Sequence, residues 1–84
     1  MKIIFIILDC LMTDDECFTQ IKEYFALFNE TIDDITLANT LNKMLDDGLI
    51  VLKKEWKNEK NEYPYSLTDI GKRAWSDNLT NYNS

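Results

Sequence analysis

The stretch Gly48-Leu49-Ile50-Val51-Leu52, followed through a charged loop to Tyr65-Ser66-Leu67-Thr68-Asp69-Ile70-Gly71, decides how this chain folds. Gly48 comes directly after an amphipathic run, where a helix commonly ends in left-handed backbone. Residues 49–56 then read as a strand and residues 63–67 as its partner, with Tyr63, Tyr65 and Leu67 on one face. Pro64 fits such a strand if it lies at a sheet edge. The connection Lys57-Asn58-Glu59-Lys60-Asn61-Glu62 is polar and reads as a mobile loop. Thr68-Asp69 caps a last helix through about Leu79, with Ile70, Ala74 and Trp75 available for packing. The order is helix stop, hairpin, helix start.

Upstream lie three further helical patterns. Ile3-Ile4-Phe5-Ile6-Ile7-Leu8 has the residue types of a strand, but Lys2, Asp9 and Thr13 fall on one narrow face at helical spacing. The pattern predicts a helix over about residues 2–12, buried on most of its circumference. This apolar run is too short to cross a bilayer, which needs about 20 apolar residues. It also reaches Asp9 without a small-residue cleavage site, so it does not read as a signal peptide. Thr13-Asp14-Asp15-Glu16 has the form of a capping box for a second helix reaching about Phe28. In that helix Phe18, Ile21, Phe25 and Phe28 form a stripe widened by Cys17 and Tyr24. Thr31 or Asp33 can cap the third helix, whose inward stripe is Ala38, Leu41 and Leu45. Thr36, Thr40, Lys43 and Asp47 lie opposite, with Asn39 beside them. Residues 1–79 read as one domain and residues 80–84 as a polar tail.

Composition narrows the function classes. Hydrophobic residues make up 45% and charged residues 29% of the 84, an ordinary globular balance. A domain this small buries only roughly 60–65% of its unfolded surface, so dimerisation would help it. The net charge is −6, unevenly placed. Residues 1–52 hold three lysines against ten carboxylates, net −7; residues 53–84 hold six cations against five, net +1. An acidic chain approaches nucleic acid only if its cations gather on one face.

Cys10 and Cys17 lack metal or redox spacing and read as small buried hydrophobes. The acidic pairs Asp14-Asp15, Asp33-Asp34 and Asp46-Asp47 sit at expected helix ends, where capping accounts for the first two. They show no calcium-loop spacing. With no histidine, phosphate loop or nucleophile motif, the chain reads as a non-enzyme without cofactor or metal. Its expected location is the cytoplasm, where the two sequons at Asn29 and Asn78 have no meaning. Trp56, Tyr63 and Tyr65 read as cross-strand pairs holding the hairpin together.

The fold class implied is mainly α with a small β-hairpin: three helices, a two-stranded wing and a closing C-terminal helix, a winged helix-turn-helix. Leu41, Leu45, Gly48-Leu49-Ile50, Trp56 and Tyr65-Ser66-Leu67-Thr68-Asp69-Ile70-Gly71-Lys72-Arg73 resemble the winged-helix regulators of the PadR and MarR type. That resemblance implies a transcriptional regulator whose third helix enters the major groove while its wing touches phosphate or the minor groove. Carried onto this sequence, Thr36, Asn39, Thr40 and Lys43 face the bases, and Lys53, Lys54, Lys57 and Lys60 approach the backbone. A homodimer would present two such helices to two half-sites. The alternative is an acidic winged-helix module that binds a basic or nucleic-acid-binding protein, using Asp14, Asp15, Asp46 and Asp47.

Overall fold

A computed structural model describes the backbone of residues 2–83 and the side chains of residues 2–78. The helices are α1 (Lys2–Thr13), α2 (Phe18–Tyr24), α3 (Asp34–Asp46) and α4 (Asp69–Asn83), and the strands are β1 (Ile50–Leu52) and β2 (Tyr65–Leu67). A 3₁₀ turn, Phe25–Phe28, continues α2 and ends at Asn29 in left-handed backbone (φ 55°). The strands are antiparallel, pairing Ile50 with Leu67, Val51 with Ser66 and Leu52 with Tyr65. This is the expected winged-helix class. α4 runs to Asn83 rather than stopping near Leu79, and the expected side-chain character of the polar tail lies outside the described residues.

α1 buries Ile6, Ile7, Leu8, Cys10 and Leu11, so it is the central helix of the core. Ile21, Phe25, Ile32, Leu37, Leu41, Met44 and Ile50 close around it. The narrow polar face expected on α1 does not meet open water at Asp9. Tyr24 Oη donates to Asp9 Oδ2 (2.7 Å) and Trp75 Nε1 donates to Asp9 Oδ1 (2.9 Å). One half-buried carboxylate thereby ties α1 to α2 and α4, and it removes the cost of leaving two ring donors unsatisfied. Both cysteines are free and buried, as their composition suggested.

The Tyr24–Asp9 contact makes stability depend on alkaline pH. Burial, followed by the bond to Asp9, pushes the Tyr24 phenol from 10.0 up to about 12. Burial pushes the Cys10 thiol from 9.0 to about 12 as well, with Glu16 and Asp9 adding to it. Both groups bind their protons more tightly folded than unfolded. Their contribution is complete below the unfolded values and is lost as pH rises through about 9–12. Urea midpoints measured from pH 8 to 11.5 should therefore fall above pH 9, and less steeply in Tyr24→Phe. A flat profile would contradict this account.

Three local differences from the sequence reading matter for the site. The second helix starts at Phe18, not Thr13. Residues before it are extended instead, and Glu16 bridges β2: Glu16 N–H donates to Tyr65 O (3.2 Å) and Tyr65 N–H to Glu16 O (2.8 Å). The cap is Cys17, whose N–H donates to Gln20 Oε1 (3.2 Å). Strand pairing here satisfies backbone groups that a longer helix would have satisfied internally. Consequently Asp14 and Asp15 cap nothing, and β2 is flanked on both sides rather than standing at an edge. Pro64 lies one residue before β2 and is fully buried.

The strands are also shorter than expected, so Trp56 lies outside them, 54% exposed, and is no cross-strand partner. On α3 the fully buried positions are Leu37, Leu41 and Met44, while Ala38 and Leu45 are only half-buried. The stripe is thus turned toward Leu37 and Met44. Of the two expected caps, Asp33 is the one used: its carboxylate accepts from Thr36 N–H (3.1 Å) and Thr36 Oγ1 (2.7 Å). Those bonds hold the Asp33 carboxyl below its usual range.

The α3 to α4 corner follows the sequence closely. Gly48 has φ 76°, and Leu49 N–H returns to Met44 O at 3.0 Å. Thr68 Oγ1 accepts from Gly71 N–H (3.0 Å) and donates to Gly48 O (2.6 Å). One hydroxyl therefore caps α4 and fastens it to the end of α3.

Candidate nucleic-acid interface

α3 presents Thr36, Asn39 and Lys43 as exposed residues and Thr40 as a half-buried one. The helix positions them as expected, but three of the four spend polar capacity locally. Thr36 Oγ1 donates to the Asp33 cap, and Thr40 Oγ1 donates to Thr36 O (2.8 Å). Lys43 Nζ stands 3.5 Å from Asp47 Oδ2. That pair is exposed, and exposed i,i+4 pairs contribute little and exchange easily. Asn39 is exposed, beside Thr40, Lys43 and Asp47. There these residues and Ile3 of α1 border a shallow groove of about 330 Å³.

The wing is more ordered than its composition suggests. After β1 the ladder continues through Lys53 N–H to Pro64 O (2.8 Å). A tight turn follows, in which Asn58 N–H donates to Glu62 O (3.0 Å) and Asn61 adopts φ 65°. Asn58 Oδ1 accepts from the N–H groups of Lys60 (3.0 Å) and Glu62 (2.9 Å). Glu62 then fastens this turn to α2. Its carboxylate accepts from Thr19 Oγ1 (2.9 Å), Thr19 N–H (3.3 Å) and Asn58 Nδ2 (2.9 Å). Burial pushes the Glu62 carboxyl up, but the Asn58 and Thr19 donors outweigh it and hold the group below its usual range. The Asn58–Glu62 knot was hidden in the sequence among ordinary polar loop residues.

Lys53, Lys54, Lys57 and Lys60 are all exposed. Lys53 and Lys54 form no ion pair among the described residues. Lys57 Nζ sits 4.8 Å from the centre of the Tyr63 ring, a contact that orients the cation without neutralising it. Lys57 and Lys60 border one depression with Gln20 and Asn58. Against them stands an acidic neighbour: Asp14, Asp15 and Glu16 share another depression with Trp56 and Asn58. Crowding raises the Glu16 carboxyl, through its own partial burial first and then through Asp14 and Asp15.

Between α3 and the wing runs a groove of about 560 Å³ lined by Phe18, Ile35, Ala38, Leu52, Tyr63 and Tyr65. Its rim carboxylates are engaged: Asp34 holds Lys22 at 2.6 Å, and Glu62 holds Thr19 and Asn58. The sequence reading missed Ile35. It sits in the first turn of α3, 74% exposed, and no periodicity singled it out. The described residues contain no cluster suited to a metal ion. Among them, no helix is long and apolar enough to cross a membrane.

No protein-family model matches the chain, and no curated protein does. Solved structures do. H. salinarum RosR is 21% identical, aligned over 95% of this chain and 71% of its own, with a TM-score of 0.80. A complex structure of hsRosR-S4 is 22% identical over 95% of this chain and 68% of its own, with a TM-score of 0.81. Bacillus subtilis PadR, solved in complex with operator DNA, is 28% identical over 90% of this chain, with a TM-score of 0.77. This chain spans only 44% of that PadR chain. The expected resemblance to winged-helix regulators of the PadR type is thereby borne out.

Proposed function

We propose that this chain is a DNA-binding transcription regulator that reads duplex DNA with α3 and a lysine-bearing wing, and that it does so as a homodimer. The observation that carries this reading is that the first turns of α3, through Asp34, Ile35 and Ala38, and the hairpin border one groove. Lys53 and Lys54 continue that hairpin directly after Leu52. Likeness to PadR, which has been solved on operator DNA, supports the same role. Thr36, Asn39, Thr40 and Lys43 are the proposed base-facing residues, with the hydroxyls freed by rotation away from their local acceptors. Lys53, Lys54, Lys57 and Lys60 are the proposed phosphate contacts. The role is binding rather than catalysis, and the cytoplasm is its proposed place.

Fluorescence anisotropy against a randomised duplex library and genomic promoter fragments tests this. Binding should appear at 50 mM salt and weaken by roughly a thousandfold or more by 200 mM, as for about six phosphate contacts. Absence of binding to every duplex at low salt would overturn the reading.

A second reading has its own support. Asp14, Asp15 and Glu16 beside exposed Trp56, with Asp46 and Asp47 ending α3, offer a basic protein partner an acidic surface. In that case charge reversal of Asp14, Asp15, Asp46 and Asp47 abolishes partner binding, and no duplex competes except by occupying the partner.

A further inference from the structure

Ile35 is the residue of α3 that its fold does not explain. It is 74% exposed in the first turn of the helix, and the core is complete without it. Alanine would be the stronger helix former there. Asn39 and Asn42, four and seven residues on, are exposed on the same flank. Ile35 also lines the apolar groove toward the wing, facing Leu52 and Tyr63. A β-branched side chain in a helix has essentially one χ1 rotamer, so its methyl groups stand in a defined place before any partner arrives.

Resting on the DNA reading above, we infer that Ile35 is a specificity-determining residue that reads the C5-methyl group of thymine in the major groove. The place of Ile35 selects this occupant: it stands on the outward flank of α3 with Asn39 and Asn42. The two acids of the groove are already engaged by Lys22, Thr19 and Asn58, and Lys53 and Lys54, next in the chain after Leu52, are exposed. An apolar helix residue flanked by amides and lysines matches a surface that is anionic outside and apolar at single points within. In the major groove the thymine methyl is that apolar point.

The test uses the full chain and duplexes it selects from a randomised library. Each thymine is replaced in turn by deoxyuridine, which removes only the methyl group, and binding is followed by anisotropy. At one position per half-site the replacement weakens the native chain by about fourfold, the equivalent of one buried methyl group. Ile35→Ala binds the selected duplex more weakly and is indifferent to that replacement, whereas Ile35→Val keeps the sensitivity. Circular dichroism confirms that both variants fold, as an exposed position allows. Indifference of the native chain to every replacement, or equal sensitivity in Ile35→Ala, overturns this inference and leaves DNA binding standing. Failure to bind any duplex overturns both.

Discussion

A Gly71→Ala chain is expected to lose more than about 3 kcal/mol of stability, an unusually large cost for one added methyl group. The sign is what makes it informative. In an exposed helix interior the same change stabilises by roughly 1 kcal/mol. Here a Cβ would stand far inside van der Waals contact of the Leu49 carbonyl oxygen, and 3.0 Å from Leu67 Cδ2. The carbonyl cannot retreat easily, because it accepts from Thr68 N–H (3.1 Å). α4 would have to move off the hairpin and take Trp75 away from Asp9. Gly48→Ala is the contrasting case. Its Cβ meets only Ile70 Cδ1 at 3.9 Å, so the cost is the left-handed backbone alone, about 1–2 kcal/mol. Thermal unfolding should show Gly71→Ala melting at least about 12 °C below the native chain. A melting point equal to or above native would contradict the packing described.

The second large effect concerns the wing. Replacing Lys53, Lys54, Lys57 and Lys60 together by alanine is expected to weaken duplex binding on the order of a thousandfold at 0.1 M salt. The slope of log affinity against log salt should flatten by up to about 3.6 for each protomer bound. The two pairs are not equal. Lys57 rests on the Tyr63 ring, and Lys60 lies near enough to Glu62 to lower that carboxyl. Lys53 and Lys54, unpaired among the described residues, should account for more than half of the change. All four are exposed, so the variant should unfold at nearly the native midpoint. An unchanged slope would mean that the wing does not touch phosphate.

Legibility of the fold in the sequence was highest where one residue type has one physical use. Gly48 in left-handed backbone, Gly71 under a carbonyl, and Thr68 as a cap stand where chain chemistry requires them. The start of α2 was misread because Thr13 and Glu16 fit a capping box, while the competing use of Glu16, pairing with Tyr65, is non-local. No spacing in residues 13–16 announces a partner some fifty residues away. The same cause hid Asp9 and Glu62. Each looks like a surface carboxylate until Tyr24 and Trp75, or Thr19 and Asn58, are brought around it. Of the candidate site, the outward side of α3 was readable from helical period. Its phase was slightly off, which concealed Ile35. The wing lysines were readable, but the acids of residues 14–16 lying beside Trp56 were not.

The central claim is that α3 and the wing form one DNA-binding face. Backbone amide NMR shifts of the full chain, titrated with a duplex selected from a randomised library, test it most directly. The account predicts that the largest shifts fall together on Ile35, Asn39 and Lys43 of α3 and on residues 53–60 of the wing, and that they collapse as salt is raised. Shifts confined to residues 14–16 and Trp56, or no shifts at saturating duplex, would contradict it.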